Sequence, residues 1–148
     1  MRAGKNYKCQ NCGKQYEVFT GIGYSFPSDY QELVADMKKG RYGTEIKQLL
    51  AGNPNLAVDA ERFYYECEEC GYWSVEECKD IYEHKNSNAS SENSYVMGYE
   101  LRQDYRLIQK YDHVCPKCRG HMKKRDVRNV TCPECGKKNK PLEYVMWD

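Results

Sequence analysis

The chain has 148 residues, 23 Lys and Arg against 22 Asp and Glu, and a formal charge of +1. Leu, Ile, Val and Phe together number only 23, too few for a large aliphatic-core enzyme. The near-cancelling charge argues against disorder, and 14 tyrosines and 9 cysteines can replace the missing aliphatic core. No run approaches the length of about 18 apolar residues that crosses a bilayer. Residues 1–6 hold no apolar h-region. These features predict a cytoplasmic protein with no membrane partner.

In chain order, a first Cys-x-x-Cys turn (Cys9, Cys12) precedes a predicted strand, Tyr16-Glu17-Val18-Phe19, and a glycine turn at 20–23. Ser28 and Gln31 form a capping-box pattern, with Leu33, Val34 and Met37 on one helical face and Gly40 as the stop. A second short helix is predicted from Thr44, with Ile46, Leu49 and Leu50 at helical spacing and Gly52-Asn53-Pro54 as its end. Arg62 to Glu66 reads as a strand leading into Cys67 and Cys70. Ser74 with Glu77 repeats the capping pattern, and Val75, Cys78, Ile81 and Tyr82 then share one helical face. Cys78 on that helix is expected to be a small apolar core residue. Residues 84–94 are polar and small, as in a linker. Tyr95, Met97 and Tyr99 alternate like a strand, and 101–111 stays open between helix and strand. Cys115/Cys118 and Cys132/Cys135 follow, and Leu142 to Trp147 reads as a final strand.

Eight of the nine cysteines thus fall into four Cys-x-x-Cys pairs. A disulfide framework has no reason to repeat one spacing four times, and it needs an oxidising compartment. Metal binding does explain the spacing. Two thiolates three positions apart bend around one tetrahedral ion, and two pairs complete a four-thiolate site. Gly13, Gly71 and Gly136 follow the second cysteine of three pairs, and Arg119-Gly120 follows Cys118. Each supplies a residue for the positive φ that the turn demands. The metal ligands expected are therefore Cys9, Cys12, Cys67, Cys70, Cys115, Cys118, Cys132 and Cys135, holding two zinc ions per chain, with iron as the competing metal.

Cys115-Pro116-Lys117-Cys118, 13 residues and Cys132-Pro133-Glu134-Cys135-Gly136 resemble a compact zinc ribbon, and Tyr7-Lys8-Cys9-Gln10-Asn11-Cys12-Gly13 resembles the first knuckle of rubredoxin. The resemblance is one of fold. It implies a small metal-stabilised α+β protein with two zinc-ribbon modules. Four pairs can form two sites in three ways. The favoured pairing joins Cys9/Cys12 to Cys67/Cys70 and Cys115/Cys118 to Cys132/Cys135, because the loop in the second is short. The 54-residue loop in the first costs only about 1 kcal/mol more to close than a 13-residue one, so interleaved pairings stay open. The favoured pairing divides the chain into an N-terminal ribbon with a helical insertion (1–83), a linker or mobile loop (84–94) and a basic C-terminal ribbon (95–148).

Charge varies along the chain: +3 over residues 1–27, −7 over 28–83 and +5 over 84–148. Lys117, Arg119, Lys123, Lys124, Arg125, Arg128, Lys137 and Lys138, with Lys140, are candidate contacts to nucleic-acid phosphates. The run 123–125 is expected at the tip of a hairpin between two knuckles. Two or three of these cations are needed merely to offset the −2 that a zinc ion with four thiolates carries. The tyrosines are expected to give contact area in a small core with wet hydroxyls, and Trp73 and Trp147 to be core or interface anchors. No H-E-x-x-H, Walker A, G-x-G-x-x-G or G-x-S-x-G motif occurs, and His84, His113 and His121 form no catalytic pattern. The sequence therefore predicts a non-enzymatic binding or adaptor protein for nucleic acid or a nucleic-acid-associated protein. No small-molecule substrate is evident. A rubredoxin-like iron electron carrier and a purely protein-binding module are the alternatives.

Overall fold

A computed structural model describes residues 3–22, 26–86 and 96–145. The chain divides into two compact units, each assembled from separate stretches of sequence: residues 1–23, 61–77 and 112–148 form the first, and 24–60 with 78–111 the second. The expected boundary at 84–94 is not where the contacts divide the chain. Most of that segment, with Tyr95 and Trp147, lies outside the described residues.

The first unit is built from antiparallel hairpins. β1 (Ala3–Lys8) pairs with β2 (Gln15–Thr20) on one side and β11 (Glu143–Val145) on the other, with Asn6 opposite Glu143 and Gly4 opposite Val145. The two ends of the chain therefore share one sheet. β4 (Arg62–Cys67) pairs with β5 (Trp73–Glu77) and with β8 (Met122–Lys124), Cys67 lying opposite Met122. β9 (Val130–Thr131) and β10 (Lys138–Asn139) form a two-stranded ribbon.

Aromatic side chains fill this unit. Tyr7, Tyr64 and Tyr65 are buried, as expected of core tyrosines. The Tyr7 and Tyr16 rings stack at 5.1 Å, and Tyr64 stacks on Trp73 at 5.4 Å. The hydroxyls of Tyr7, Tyr16 and Tyr64 meet main chain or carboxylate. Tyr7 Oη donates to the Val127 carbonyl, Tyr16 Oη to the Val130 carbonyl at 2.7 Å, and Tyr64 Oη to Glu66 at 2.8 Å. A buried hydroxyl without such a partner would cost about 1–3 kcal/mol, so these bonds are what lets tyrosine stand in for leucine.

The second unit has a sheet in the order β3 (Leu56–Val58), β6 (Ile81–His84), β7 (Tyr105–Gln109), with α1 (Phe26–Lys38), α2 (Thr44–Leu50) and α3 (Gly98–Asp104). Helix α1 begins two residues before Ser28, with Pro27 in the first turn, where its missing N–H costs nothing. Tyr30, Leu33 and Met37 lie on its buried face and meet Ile46 and Leu50 of α2, Leu56, Val58 and Ile81. Gly40 at φ 90° ends α1. The N–H groups of Gly40 and Arg41 reach back to the carbonyls of Met37 and Asp36, which is the Schellman arrangement.

The helix expected from Ser74 is instead two strands and a corner. Val75 pairs with Tyr64 and Ser74 with Tyr65, so the alternation of β5 against β4 overrides the capping pattern. Ser74 Oγ binds Glu76 at 2.6 Å. Lys79, at φ 65°, turns the chain into β6. Its N–H donates to the Asp59 carbonyl, and its buried ammonium lies about 5 Å from the centroids of both Tyr42 and Tyr111. Cys78 is buried as expected, but in this corner rather than on a helix. The strand expected over 95–99 is absent at 96–99: α3 starts at Gly98 and β7 at Tyr105.

Met37 is fully buried between α1 and α2. Met37→Ala should destabilise the second unit by about 2–5 kcal/mol while the bound-metal content of the chain stays unchanged, as read by urea unfolding together with elemental analysis.

Candidate metal centres

Each Cys-x-x-Cys pair sits in the same local turn. The N–H of the first cysteine donates to the carbonyl five residues on: Cys9 to Lys14, Cys67 to Tyr72, Cys115 to Gly120 and Cys132 to Lys137, at 2.7–2.9 Å. The N–H four residues on returns to the first cysteine's carbonyl, from Gly13, Gly71, Arg119 and Gly136. That fourth residue lies at φ 65–83° in every case. Three of the four turns place glycine there. In the third turn Arg119 takes the left-handed conformation, and Gly120 is needed for a different reason. A Cβ on Gly120 would lie 2.6 Å from Glu69 Cγ and 3.1 Å from Cys67 Sγ, so its hydrogen lets two knuckles close on one another.

The turns combine in a nested pattern. Cys9, Cys12, Cys132 and Cys135 form one tetrad, and Cys67, Cys70, Cys115 and Cys118 form the other, with the sulfurs of each within 4.8 Å of one another. This overturns the favoured pairing of Cys9/Cys12 with Cys67/Cys70 and of Cys115/Cys118 with Cys132/Cys135. The sheets decide it: β1 meets β11 and β4 meets β8, so the outer knuckles come together and the inner ones likewise. The expected N-terminal and C-terminal ribbon modules therefore do not exist as separate stretches of sequence.

The tetrads fit a tetrahedral ion. The closest sulfur pairs are Cys9–Cys135 and Cys67–Cys118 at 3.4 Å, and Cys12–Cys132 and Cys70–Cys115 at 3.6 Å. Four thiolates at the usual zinc–sulfur distance of about 2.3 Å stand about 3.8 Å apart. A disulfide would need about 2.05 Å, and all nine cysteines are free. The first cysteine of each pair is buried and the second exposed.

Burial pushes the Cys9 thiol up, but the N–H groups of Cys12 and Asn11 and the Asn139 side chain outweigh it and bring it down to about 6. The Cys70 and Glu69 N–H groups, working against burial, hold Cys67 at about 7. Cys12 goes the other way. The Lys14 N–H favours its thiolate, yet desolvation and the neighbouring sulfurs push it up to about 12. Cys118 is likewise pushed up to about 12, with the Gly120 N–H opposing and the Cys67 and Cys70 sulfurs prevailing. Four sulfurs this close cannot all be anionic without a cation among them, so a bound cation would let all four ionise.

Asn139, which the sequence reading passed over, braces the outer tetrad. It is buried; its Nδ2 donates to Tyr16 Oη and to the Lys137 carbonyl, and its Oδ1 accepts from the Gln10 N–H, each at 3.1 Å. One asparagine in a lysine run carries no local signal of this role.

The basic residues fall differently from the linear charge pattern. Lys123, Lys124 and Arg125 are not at a hairpin tip between knuckles: β8 carries the first two beside β4, and Arg125 follows it. Lys123 pairs with Glu68 at 2.9 Å, Lys138 with Glu66 at 3.6 Å and Arg128 with Asp126 at 2.8 Å. Lys124 lies over the Phe63 ring and Lys117 near that of Tyr72. Arg119 and Lys137 are exposed on the two tetrads' knuckles. Two carboxylates of the acidic 28–83 stretch, Glu66 and Glu68, thus lie among these basic residues. The histidines lie outside both tetrads: His113 binds Glu76 at 3.0 Å, His121 binds Asp112 at 2.8 Å, and His84 Nδ1 accepts the Asn86 N–H.

Comparison with models of protein families, with curated proteins and with solved structures gives no match for this chain. The two four-cysteine groups define it as a protein able to hold two metal ions.

The adjacent residues Arg119 and Gly120 give opposite expectations. Gly120→Ala should weaken metal binding at the Cys67/Cys70/Cys115/Cys118 tetrad, because its Cβ meets a ligand sulfur and Glu69. Arg119→Gly should stabilise the turn by up to about 1 kcal/mol, since glycine adopts the left-handed region without strain. Chelator-competition titrations of the two variants against the native chain read both effects.

Proposed function

We propose that this chain is a non-enzymatic protein in which each tetrad holds a structural zinc ion, and that the unit so formed is a binding or adaptor module for nucleic acid or a nucleic-acid-associated protein. The observation that carries the metal reading is the gathering of eight sulfurs from four like turns into two closed tetrads. All-thiolate sets with soft sulfur donors suit zinc, and each tetrad uses four protein ligands, as structural rather than catalytic zinc sites do. When bound, the ion supplies cross-linking of distant hairpins, a contribution on the order of 10 kcal/mol or more.

The partner reading rests on charge. Lys117 and Arg119 on one knuckle, Arg125 after β8 and Lys137 on another knuckle are exposed cations in the metal-binding unit. Lys123, Arg128 and Lys138 have carboxylate partners, so they contribute less to an anionic surface. Phosphate contacts of this kind release counterions and weaken steeply with salt.

Elemental analysis of the native chain should give two zinc ions and a colourless solution. A red ferric-thiolate spectrum would replace zinc by iron and favour electron transfer. Cys132→Ser should cost one of the two ions. Binding to single- and double-stranded nucleic acid should appear at low salt and fall with added salt. No binding at low salt would remove the polymer and leave the protein-binding module.

A further inference from the structure

The two tetrads are joined by more than a shared fold. Glu66 and Trp73 form the last ladder pair of β4 and β5 before the Cys67–Cys70 knuckle. Both reach Thr131, the residue immediately before Cys132 of the other tetrad. Trp73 Nε1 donates to the Thr131 carbonyl at 2.6 Å, and Thr131 Oγ1 to Glu66 Oε2 at 3.4 Å. Lys138, three residues after Cys135, pairs with the other Glu66 oxygen at 3.6 Å, and Tyr64 Oη fixes the carboxylate at 2.8 Å. The edge of one knuckle is thereby the seat of the other.

We propose that the two sites load in order and cooperatively, the inner tetrad first, with Trp73 and Glu66 as positioning residues that transmit its closure to the outer tetrad. This rests on the metal reading above and adds to it an order and a coupling.

Topology biases the order. The inner tetrad closes a 44-residue interval, 71–114, and the outer one a 119-residue interval, 13–131. Shorter closure loses less chain entropy. Once the inner tetrad is closed, the outer one has only the 54 residues before Cys67 and the 13 after Cys118 left to restrain. Contact gives the remainder. With Cys67 and Cys70 drawn into their turn, Glu66 and Trp73 are held side by side. Thr131 then meets a formed pair of partners, and Cys132 is delivered toward Cys9 and Cys12. The coupling is reciprocal, as binding linkage requires.

The test measures the two stepwise zinc constants of the full chain by native mass spectrometry against a competing chelator. Cys135→Ser should abolish the second step and keep the first. Cys118→Ser should weaken zinc at the remaining outer tetrad on the order of tenfold relative to the native second step, a typical size for coupling between sites. Trp73→Phe keeps an aromatic ring and the ladder but loses the bond to Thr131. It should leave the first constant unchanged, weaken the second severalfold, and have no further effect in the Cys118→Ser background. Equal weakening of both steps by Trp73→Phe would mark it as merely structural and overturn the proposal. So would an unchanged second step, an outer tetrad indifferent to Cys118→Ser, or loss of the first step in Cys135→Ser. Should Cys118→Ser fail to fold, the Trp73→Phe constants decide alone. Two ions bound independently would overturn the coupling and leave the metal reading standing, whereas a chain that binds no zinc would overturn both.

Discussion

The constraint on which this fold depends is that each set of four sulfurs is drawn from two places far apart in the chain. Cys9 and Cys12 meet Cys132 and Cys135, and inside that closure Cys67 and Cys70 meet Cys115 and Cys118. A unit with so few aliphatic residues cannot hold such long closures by burial alone. The hydrophobic return of about 25 cal/mol per Å2 is spread over a small core. An ion held by each group of four sulfurs would supply a strong point restraint where the hairpins would otherwise separate. The tyrosine-rich core and its hydrogen bonds to the carbonyls of Val127 and Val130 then fix the hairpins around them.

The same nesting explains how the second unit can be one compact body while consisting of two insertions. Residues 24–60 leave the metal-binding unit between β2 and β4, and 78–111 leave it between β5 and the third knuckle. The two meet through β3 and β6, where Leu56 pairs with Glu83 and Val58 with Ile81, over a core that α1 and α2 cover.

Local chemistry was readable from the residues, and long-range partnership was not. The four turns, the helices near 28–38 and 44–50 and the role of tyrosine as core all follow from spacing and residue type. The pairing of the turns does not. Loop length discriminates between pairings by only about 1 kcal/mol, less than a few strand contacts supply, and β1–β11 and β4–β8 leave no mark in either strand alone. The segment 74–82 fails for a related reason. Ser74, Glu77 and the apolar positions satisfy a helical period, but Tyr64 and Tyr65 on the facing strand accept the same residues in a ladder. Tertiary pairing outweighs the local preference. Charge behaves likewise. Glu66 and Glu68 looked like part of an acidic block and are instead the partners of Lys138 and Lys123.

The nested pairing is tested most directly by replacing the metal with cadmium-113 and recording its couplings to the cysteine β-protons. Two cadmium resonances are expected, one correlated with Cys9, Cys12, Cys132 and Cys135 and the other with Cys67, Cys70, Cys115 and Cys118. A cadmium resonance shared by Cys9 and Cys67, or by Cys115 and Cys132, would contradict the account.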